Sequence, residues 1–302
     1  MSVSVIIPCF NGAPFLRESI ESALQQSQPP EQVIVVDDGS TDDSVEIARA
    51  ISGVTVIQQE NGGASAARNR AMGVASGEFV VFHDADDRLL PDALAIGARE
   101  LTTRRECGFV HGFSRQIFAD RPPIEPLPRQ LHDASYQRTL EGDTFVPPGC
   151  AMFRRAAVEA VGGFRGWLWP TDDYDLYLRV SREAPIHCHN QTVVEYRMHQ
   201  TNATSSSPAR MLRAVLRVLD DQRSFVRGRP TLERALESGR RHWGHVFGPG
   251  IAFEAVEQLR RGQLGASLKS FALLAAWHPR GVLDVARHYA GRATGGVAAA
   301  RR

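Results

Sequence analysis

Two short acidic clusters carry the chemistry this chain can do. The first, His83-Asp84-Ala85-Asp86-Asp87, follows the apolar run Phe79-Val80-Val81-Phe82. In an extended backbone, residues two apart point to the same side, so Asp84 and Asp86 can converge on one hard divalent cation that prefers oxygen ligands. Mg²⁺ or Mn²⁺ held in this way keeps positions open for phosphate oxygens. A solvated turn accounts for the same residues, because Asp is common where strands end. The second cluster, Asp172-Asp173-Tyr174-Asp175, opens a helical stretch from Leu176 to Glu183. Carboxylates there can remove a proton from a reacting group, or merely place negative charge at a helix N-terminus for ~0.3–1 kcal/mol. Both can hold at once.

These clusters act together only if the chain holds them against one pocket. Val3 to Pro8 is a short β-rich apolar run, and Gly12 to Gln26 carries Phe15, Leu16, Ile20 and Leu24 at helical spacing. The unit repeats with Gln32 to Val36 as strand, Asp38-Gly39-Ser40-Thr41 as turn and cap, and Ser44 to Ile51 as helix. Val54 to Gln58, Ala64 to Ala75 and Phe79 to Phe82 continue as strand, helix and strand. That alternation predicts an α/β fold with a doubly wound, mostly parallel, Rossmann-like sheet. Ligands bind outside the carboxyl ends of such strands. The loops after Ile7, Val36 and Phe82 are therefore expected to line one nucleotide pocket.

Farther along, Phe109 to Pro148 is weakly periodic and Pro-rich around Arg121 to Pro128, which predicts an extended or mobile insertion. Regular structure resumes over Cys150 to Val161, and Gly162-Gly163-Phe164 makes a turn. Trp167 and Trp169 then precede the second acidic cluster; their faces suit stacking on a sugar ring and suit core packing equally. Beyond Pro208 the pattern is helical, with breaks expected at Gly228-Arg229-Pro230, Gly248-Pro249-Gly250 and His278-Pro279. The expected organisation is a nucleotide-binding and catalytic domain over 1–207 and a helical, basic C-terminal region over 208–302.

With 43% hydrophobic and 23% charged residues, the chain has the composition of a folded globular protein rather than a disordered one. Its net charge of +1 hides an asymmetry: from Pro208 onward 17 Lys and Arg face 7 Asp and Glu, so the front is acidic and the tail basic. A basic tail can attract anionic lipid. Interspersed arginines on helix faces fit a solvated surface better, and no nucleic-acid partner is expected. Leu264 to Val285, with Leu268, Phe271, Leu274, Ala275 and Trp277 beside Lys269 and Arg280, suits either a membrane-surface helix or packing against the catalytic domain or a second subunit. Peripheral membrane contact and a homo-oligomer thus stay open. No apolar run reaches the roughly 18 residues of a membrane span, and Met1-Ser2-Val3-Ser4-Val5 lacks a secretory leader pattern, so a cytoplasmic protein is expected. Cys9, Cys107, Cys150 and Cys188 have no paired spacing and read as reduced, mostly core thiols.

Several segments, in order, resemble the family 2 glycosyltransferases of bacterial type, inverting enzymes whose catalytic domain has the GT-A fold. They are Val5-Ile6-Ile7-Pro8-Cys9-Phe10-Asn11, Val35-Val36-Asp37-Asp38-Gly39-Ser40-Thr41-Asp42, Asn61-Gly62-Gly63-Ala64-Ser65-Ala66-Ala67-Arg68-Asn69, the run at Asp84, and Asp172-Asp173-Tyr174-Asp175-Leu176-Tyr177-Leu178-Arg179. The resemblance covers roughly Val3 to Thr204. It implies that Pro8, Phe10 and Asp38 surround a nucleoside base, with Asp38 accepting from a ring N–H. It places Arg68 near the nucleotide, where a guanidinium suits phosphate or a base edge. It implies that Asp84 and Asp86 form a D-x-D motif whose Mn²⁺ or Mg²⁺ bridges protein and donor diphosphate, with His199 near the metal or pyrophosphate. Asp173 falls at the catalytic base, with Asp172 where the family more often carries Glu; a shorter side chain keeps the charge.

The implied reaction is inverting transfer of a sugar from a nucleotide diphosphate sugar, UDP-linked by family tendency, to a hydroxyl on a glycan or lipid-linked acceptor in cell-surface glycan synthesis. A closing loop that excludes water is expected, with Arg121 to Pro128 or the segment after His199 as candidates. Two alternatives remain at this stage. One is a non-catalytic nucleotide-sugar-binding subunit or sensor, for which a base at Asp173 has little use. The other is a sugar nucleotidyltransferase; against it, Cys9-Phe10-Asn11-Gly12-Ala13-Pro14 stands where a Gly-rich, basic phosphate loop would be.

Overall fold

Strands that are apolar on both faces become the centre of the sheet, because only a buried strand can hide both rows of side chains. The computed structural model describes residues 1–126, 135–144, 146–199, 207–279 and 281. Every residue of β1 (Val3–Cys9) is buried, and so are those of β4 (Phe79–Phe82). β2 (Gln32–Asp37) lies between β1 and the less buried edge strand β3 (Val54–Gln58). The order β3-β2-β1-β4 is parallel throughout. Its crossovers are the helices α1 (Ala13–Leu24), α2 (Ser44–Arg49) and α3 (Ala64–Met72). In α1, Leu16, Ser19, Ile20 and Ala23 form the buried stripe, with Phe15 and Leu24 at its margin.

The other half of the eight-stranded sheet is mixed. After β5 (Arg88–Leu89) and α4 (Ala93–Thr103), the chain runs through β6 (Phe109–Ile117), α5 (Tyr136–Glu141), β7 (Ala151–Arg154), α6 (Arg155–Ala160), α7 (Asp172–Glu183) and β8 (Ile186–Arg197). β7 is antiparallel to both β4 and β6, β6 runs parallel to β8, and β5 closes the edge antiparallel to β8. One aromatic layer joins the halves: Phe153 lies 5.9 Å from Phe82, 4.8 Å from Phe109 and 5.9 Å from Tyr177, ring centre to ring centre. Full burial of each such ring contributes roughly 1.5–3 kcal/mol.

The expectation of an extended or mobile insertion from Phe109 onward is corrected by β6, a core strand. Its polar stretch Ser114-Arg115-Gln116 and Gly112 hide the period-two pattern, and burial of Phe109, Val110 and His111 overrides it. Gly112 is required by close approach, since a Cβ there would lie 2.2 Å from His189 Cε1. Within the stretch Arg121 to Pro128, Ile124 bridges to Gln116, and 127 and 128 lie outside the described residues. All four cysteines are buried and free of disulfides.

By compactness the chain divides into two units: Met1–Thr139 with Asp143–His199, and Leu140–Gly142 with Gln200–Arg302. The described part of the second is helical: α8 (Pro208–Asp221), α9 (Arg223–Val226), α10 (Pro230–Arg260) and α11 (Leu264–Trp277). The break expected at Gly248-Pro249-Gly250 does not occur, since α10 runs through Pro249. An interior proline costs a free helix about 3 kcal/mol. Here the flanking glycines permit close packing: a Cβ on Gly248 would sit 2.5 Å from the His278 ring and one on Gly250 2.7 Å from Pro208 Cγ. The expected helix Leu264 to Val285 is described as far as Trp277, with 280 and 282–285 outside the described residues. Among the described residues no helix is long and apolar enough to cross a membrane.

Candidate active site

The carboxyl ends of β1, β2 and β4 bring their loops together. The Asn11 N–H donates to Ser40 Oγ, Thr41 N–H to Asn11 Oδ1, and Gly12 N–H to Ser44 Oγ. Asn11 takes the left-handed conformation (φ 51°) that this tight exchange needs and that Asn tolerates. Phe10 beside it is 53% exposed, so its ring is offered outward instead of being packed in the core. Pro8 is buried within β1.

Asp38 is buried, and its carboxylate holds a neighbouring loop. Oδ1 accepts from Gln59 Nε2 at 2.7 Å and Gly62 N at 2.9 Å, and Oδ2 accepts from Gly63 N at 2.8 Å. Two carboxylate oxygens offer about four acceptor sites, so these three bonds leave room for one more on Oδ2. Asp38 therefore holds the loop that carries Gln59, Gly62 and Gly63 whatever else it binds, a task its place in the sequence does not reveal. Asp38→Ala is expected to lower stability by about 1–3 kcal/mol through the orphaned amides and to weaken nucleotide binding at least tenfold; thermal unfolding with and without UDP checks both.

Arg68, on α3, is buried and has both terminal nitrogens committed. Nη2 donates to Asp84 Oδ1 at 2.8 Å and Nη1 to Asp172 Oδ2 at 2.9 Å. Its Nε is buried without a partner. The guanidinium thus bridges the two acidic clusters, with Asp84 of the expected diphosphate motif as one partner. Asp172 Oδ2 also accepts from Ser65 Oγ at 2.6 Å. Asp172 is 3% exposed and accepts from both of these donors, so it holds Ser65 and Arg68 in place. Ser65, which carried no signal beyond its place near Arg68, is a member that sequence reasoning missed.

Asp173 lies at the start of α7, half-buried, with its Oδ1 accepting from the Tyr174 N–H at 2.7 Å. Burial first, then the charge of Asp172, pushes its carboxyl up to about 7, while Arg68 opposes the shift. The helix is fixed from behind: the Tyr174 hydroxyl donates to the Thr139 carbonyl at 2.6 Å and that of Tyr177 to the Val146 carbonyl at 3.1 Å. Asp175 accepts from Arg165 and Arg179, locking the turn before it. On that turn, over Gly166–Leu168, Leu168 is buried while Trp167 is 57% and Trp169 41% exposed, which decides against core packing for both tryptophans.

Asp84 and Asp86 keep 27% and 31% of their side-chain surface open. Asp86 Oδ2 is 2.8 Å from His199 Nε2, so the structure does bring His199 to the acidic run. Asp87, given no separate role in the acidic run, helps to do this: its Oδ1 accepts from the Arg197 N–H at 2.9 Å, Arg197 Nε donates to the Asp86 carbonyl, and the end of β8 is thereby pinned beside the loop. Burial raises the carboxyls of Asp84 and Asp87, and their neighbours' negative charge adds to it. Among the described residues, no group of three His, Cys, Asp or Glu side chains gathers closely enough to bind a metal unaided. The donor set still fits one: crowded, partly open carboxylate oxygens suit Mg²⁺ or Mn²⁺, which take one or two protein carboxylates plus substrate phosphates.

Two acidic motifs joined through Arg68, one of them in the loop after β4, match the site of a GT-A fold. The family model for glycosyl transferase family 2 matches residues 4–162, and the chain belongs to that family. An "Uncharacterized glycosyltransferase" of Rickettsia felis is 30% identical over 217 residues, 65% of this chain and 34% of that one. Pasteurella multocida chondroitin synthase is 25% identical over 206 residues, 67% of this chain and 21% of the synthase. Escherichia coli YibD, an "Uncharacterized glycosyltransferase", is 44% identical over 93 residues, 30% of this chain and 27% of its own. This chain thus aligns with about a fifth to a third of the length of these relatives. Among solved structures, Staphylococcus aureus TarS 1–349 with UDP-GlcNAc superposes with a TM-score of 0.66 at 19% identity over 91% of this chain and 89% of TarS. The mannosyltransferase PcManGT of Pyrobaculum calidifontis, with GDP-Man and Mn²⁺, gives 0.63 at 21% identity over 92% and 81%.

Proposed function

We propose that this chain is an inverting glycosyltransferase that moves a sugar from a nucleotide diphosphate sugar to a hydroxyl on a glycan or lipid-linked acceptor. The observation that supports the reading is the bridge from Asp84 through Arg68 to the N-terminus of α7, which ties the acidic run to the turn that carries Asp173. The base and ribose lie against Phe10 and the loop that Asp38 holds. Asp173 takes the proton of the acceptor hydroxyl as it attacks the anomeric carbon from the face opposite the nucleotide. A carboxyl near 7 is well matched to that task, because about half of it is ionised at neutral pH and the ionised form is basic enough to accept a proton. Asp84 and Asp86, with His199 beside them, would hold Mg²⁺ or Mn²⁺, which when bound offsets charge on the departing diphosphate. Water has to be excluded from the donor; the segment after His199, one candidate for that cover, lies outside the described residues.

UDP is the favoured nucleotide, in keeping with the UDP-GlcNAc held by TarS, although the PcManGT structure contains GDP-Man. A thermal-shift panel of UDP, GDP, dTDP and CMP, each with Mn²⁺ and then with excess chelator, tests the reading. A ligand at 100 times its Kd adds about 2.7 kcal/mol of stability. Stabilisation by UDP that chelator removes is the expected result. Equal stabilisation by UDP with chelator present overturns the metal role, and no response to any nucleotide overturns the transferase.

A further inference from the structure

The two acidic motifs do not act separately. Ser65, Arg68 and Asp172 are buried, and their contacts run without a gap: Ser65 Oγ to Asp172 Oδ2, Asp172 Oδ2 to Arg68 Nη1, and Arg68 Nη2 to Asp84 Oδ1. The side chains of Arg68 and Asp172 are 7% and 5% exposed, whereas that of Asp84 is 27% exposed. The chain of contacts thus begins in the interior beside α7 and ends at the open face where a donor diphosphate would lie. One guanidinium charge is shared between two carboxylates in a region with little water, where interactions between charges are strong. The buried Arg68 Nε has no hydrogen-bond partner and the guanidinium lies 5.1 Å from the centre of the Phe164 ring, so the two carboxylates are its charged anchors. A ligand that competes for Asp84 must alter what Arg68 gives to Asp172, and Asp172 is the residue next to Asp173.

Resting on the function proposed above, we propose that Ser65, Arg68 and Asp172 form a relay that couples occupancy of Asp84 by a divalent cation to the state of the base Asp173. Ser65 and Asp172 are positioning residues in it and touch no reacting atom. When a cation draws on Asp84, Arg68 turns its charge toward Asp172, and the negative field at Asp173 weakens. The base is thereby tuned to the presence of donor and metal. Coupling between two sites is reciprocal, so a change at Asp172 must be felt at the cation site it never touches. The charged and titratable groups that face Asp173 are Asp172 and Tyr177 on its own helix, Arg68 from α3 and Asp84 from the loop after β4.

The test is Asp172→Asn in the full chain, with Mn²⁺ affinity measured calorimetrically without nucleotide and the pH–rate profile measured with UDP-sugar and Mn²⁺. With Asp172 uncharged, Arg68 pairs wholly with Asp84 and competes with the cation, so Mn²⁺ affinity is expected to fall about tenfold. The acid limb of the profile is expected to move down by about one pH unit, because the neighbouring negative charge is gone. Ser65→Ala keeps every charge but removes a donor from Asp172, which then draws Arg68 more strongly and leaves Asp84 freer, so it is expected to raise Mn²⁺ affinity and move the acid limb up, each by about threefold or less; it also serves if the Asn variant fails to fold. The direct loss of the Asp172 charge moves the acid limb with or without the relay, so Mn²⁺ affinity is the deciding readout: a purely structural role would lower the melting temperature and leave that affinity unchanged. Unchanged Mn²⁺ affinity in variants of a wild type that binds Mn²⁺ and UDP overturns the relay alone. A wild type that binds neither overturns the transferase reading and the relay with it.

Discussion

Asp173→Asn is expected to lower kcat about 10²- to 10⁴-fold, the usual worth of a positioned general base, while the Kd for UDP changes by less than about threefold. Asn is isosteric with Asp and can keep the oxygen that accepts the Tyr174 N–H, so α7 should hold its place. The change removes only the capacity to take a proton. A nucleotide-sugar sensor gives the opposite pattern, with output intact when this carboxylate is lost. The pH profile makes a second, independent mark. With the carboxyl raised to about 7, the base is protonated in acid, so the rate should fall tenfold per unit below that pH. Charge on Asp84 contributes to the raised value, and a cation there neutralises it, so saturating Mn²⁺ is expected to carry the acid limb toward lower pH. An Asn variant with more than a tenth of wild-type kcat would remove Asp173 from the mechanism.

Acid sensitivity at β6 is the second large effect. His111 is fully buried; burial, aided by the neighbouring His187 charge, lowers its pKa to about 4. Its Nε2 has no partner, and its Nδ1 lies 3.3 Å from the Gly112 carbonyl. His189 and His187 on the adjoining β8 are lowered as well, and Glu100 and Arg104 of the α4 end face His187. A histidine held neutral in the fold gains a proton in the unfolded chain below about 6.5, so the fold binds fewer protons and stability is lost between that pH and about 4. One such group accounts for roughly 3 kcal/mol over the interval. Asp173 and Asp87, with raised values, act in the other direction, so the effect is read as a difference between proteins. His111→Leu should gain about 2–3 kcal/mol on wild type between pH 7.5 and 4.5, some 4–12 °C of relative melting temperature. Parallel losses in both proteins would show that His111 is not the group that titrates.

The order of elements through β4 was legible because each one announces itself locally: a short apolar run for a strand, a periodic stripe for a helix, and Gly or Asp at the joints. The acidic motifs were legible for the same reason, since Asp84-Ala85-Asp86 and Asp172-Asp173 are contiguous. β6 was hidden because its outer half is polar and its inner half is recognised only by what packs on it. Helix α10 was hidden behind Pro249, whose local penalty is outweighed by contacts that two glycines permit.

By itself the amino-acid sequence determined the parallel α/β start, the crevice at the strand ends, the family, and the positions of Asp38, Asp84, Asp86, Asp173 and His199 as candidates. Tertiary structure alone decided what those groups are bound to. It tied Arg68 to two carboxylates, gave Asp172 the donors Ser65 and Arg68, gave Asp38 a loop to support and set Trp167 and Trp169 on the surface. The physical reason is distance along the chain. Ser65 and Asp172 are 107 residues apart, and a hydrogen bond between them is specified by no local pattern, only by the packing of α3 against the turn that precedes α7.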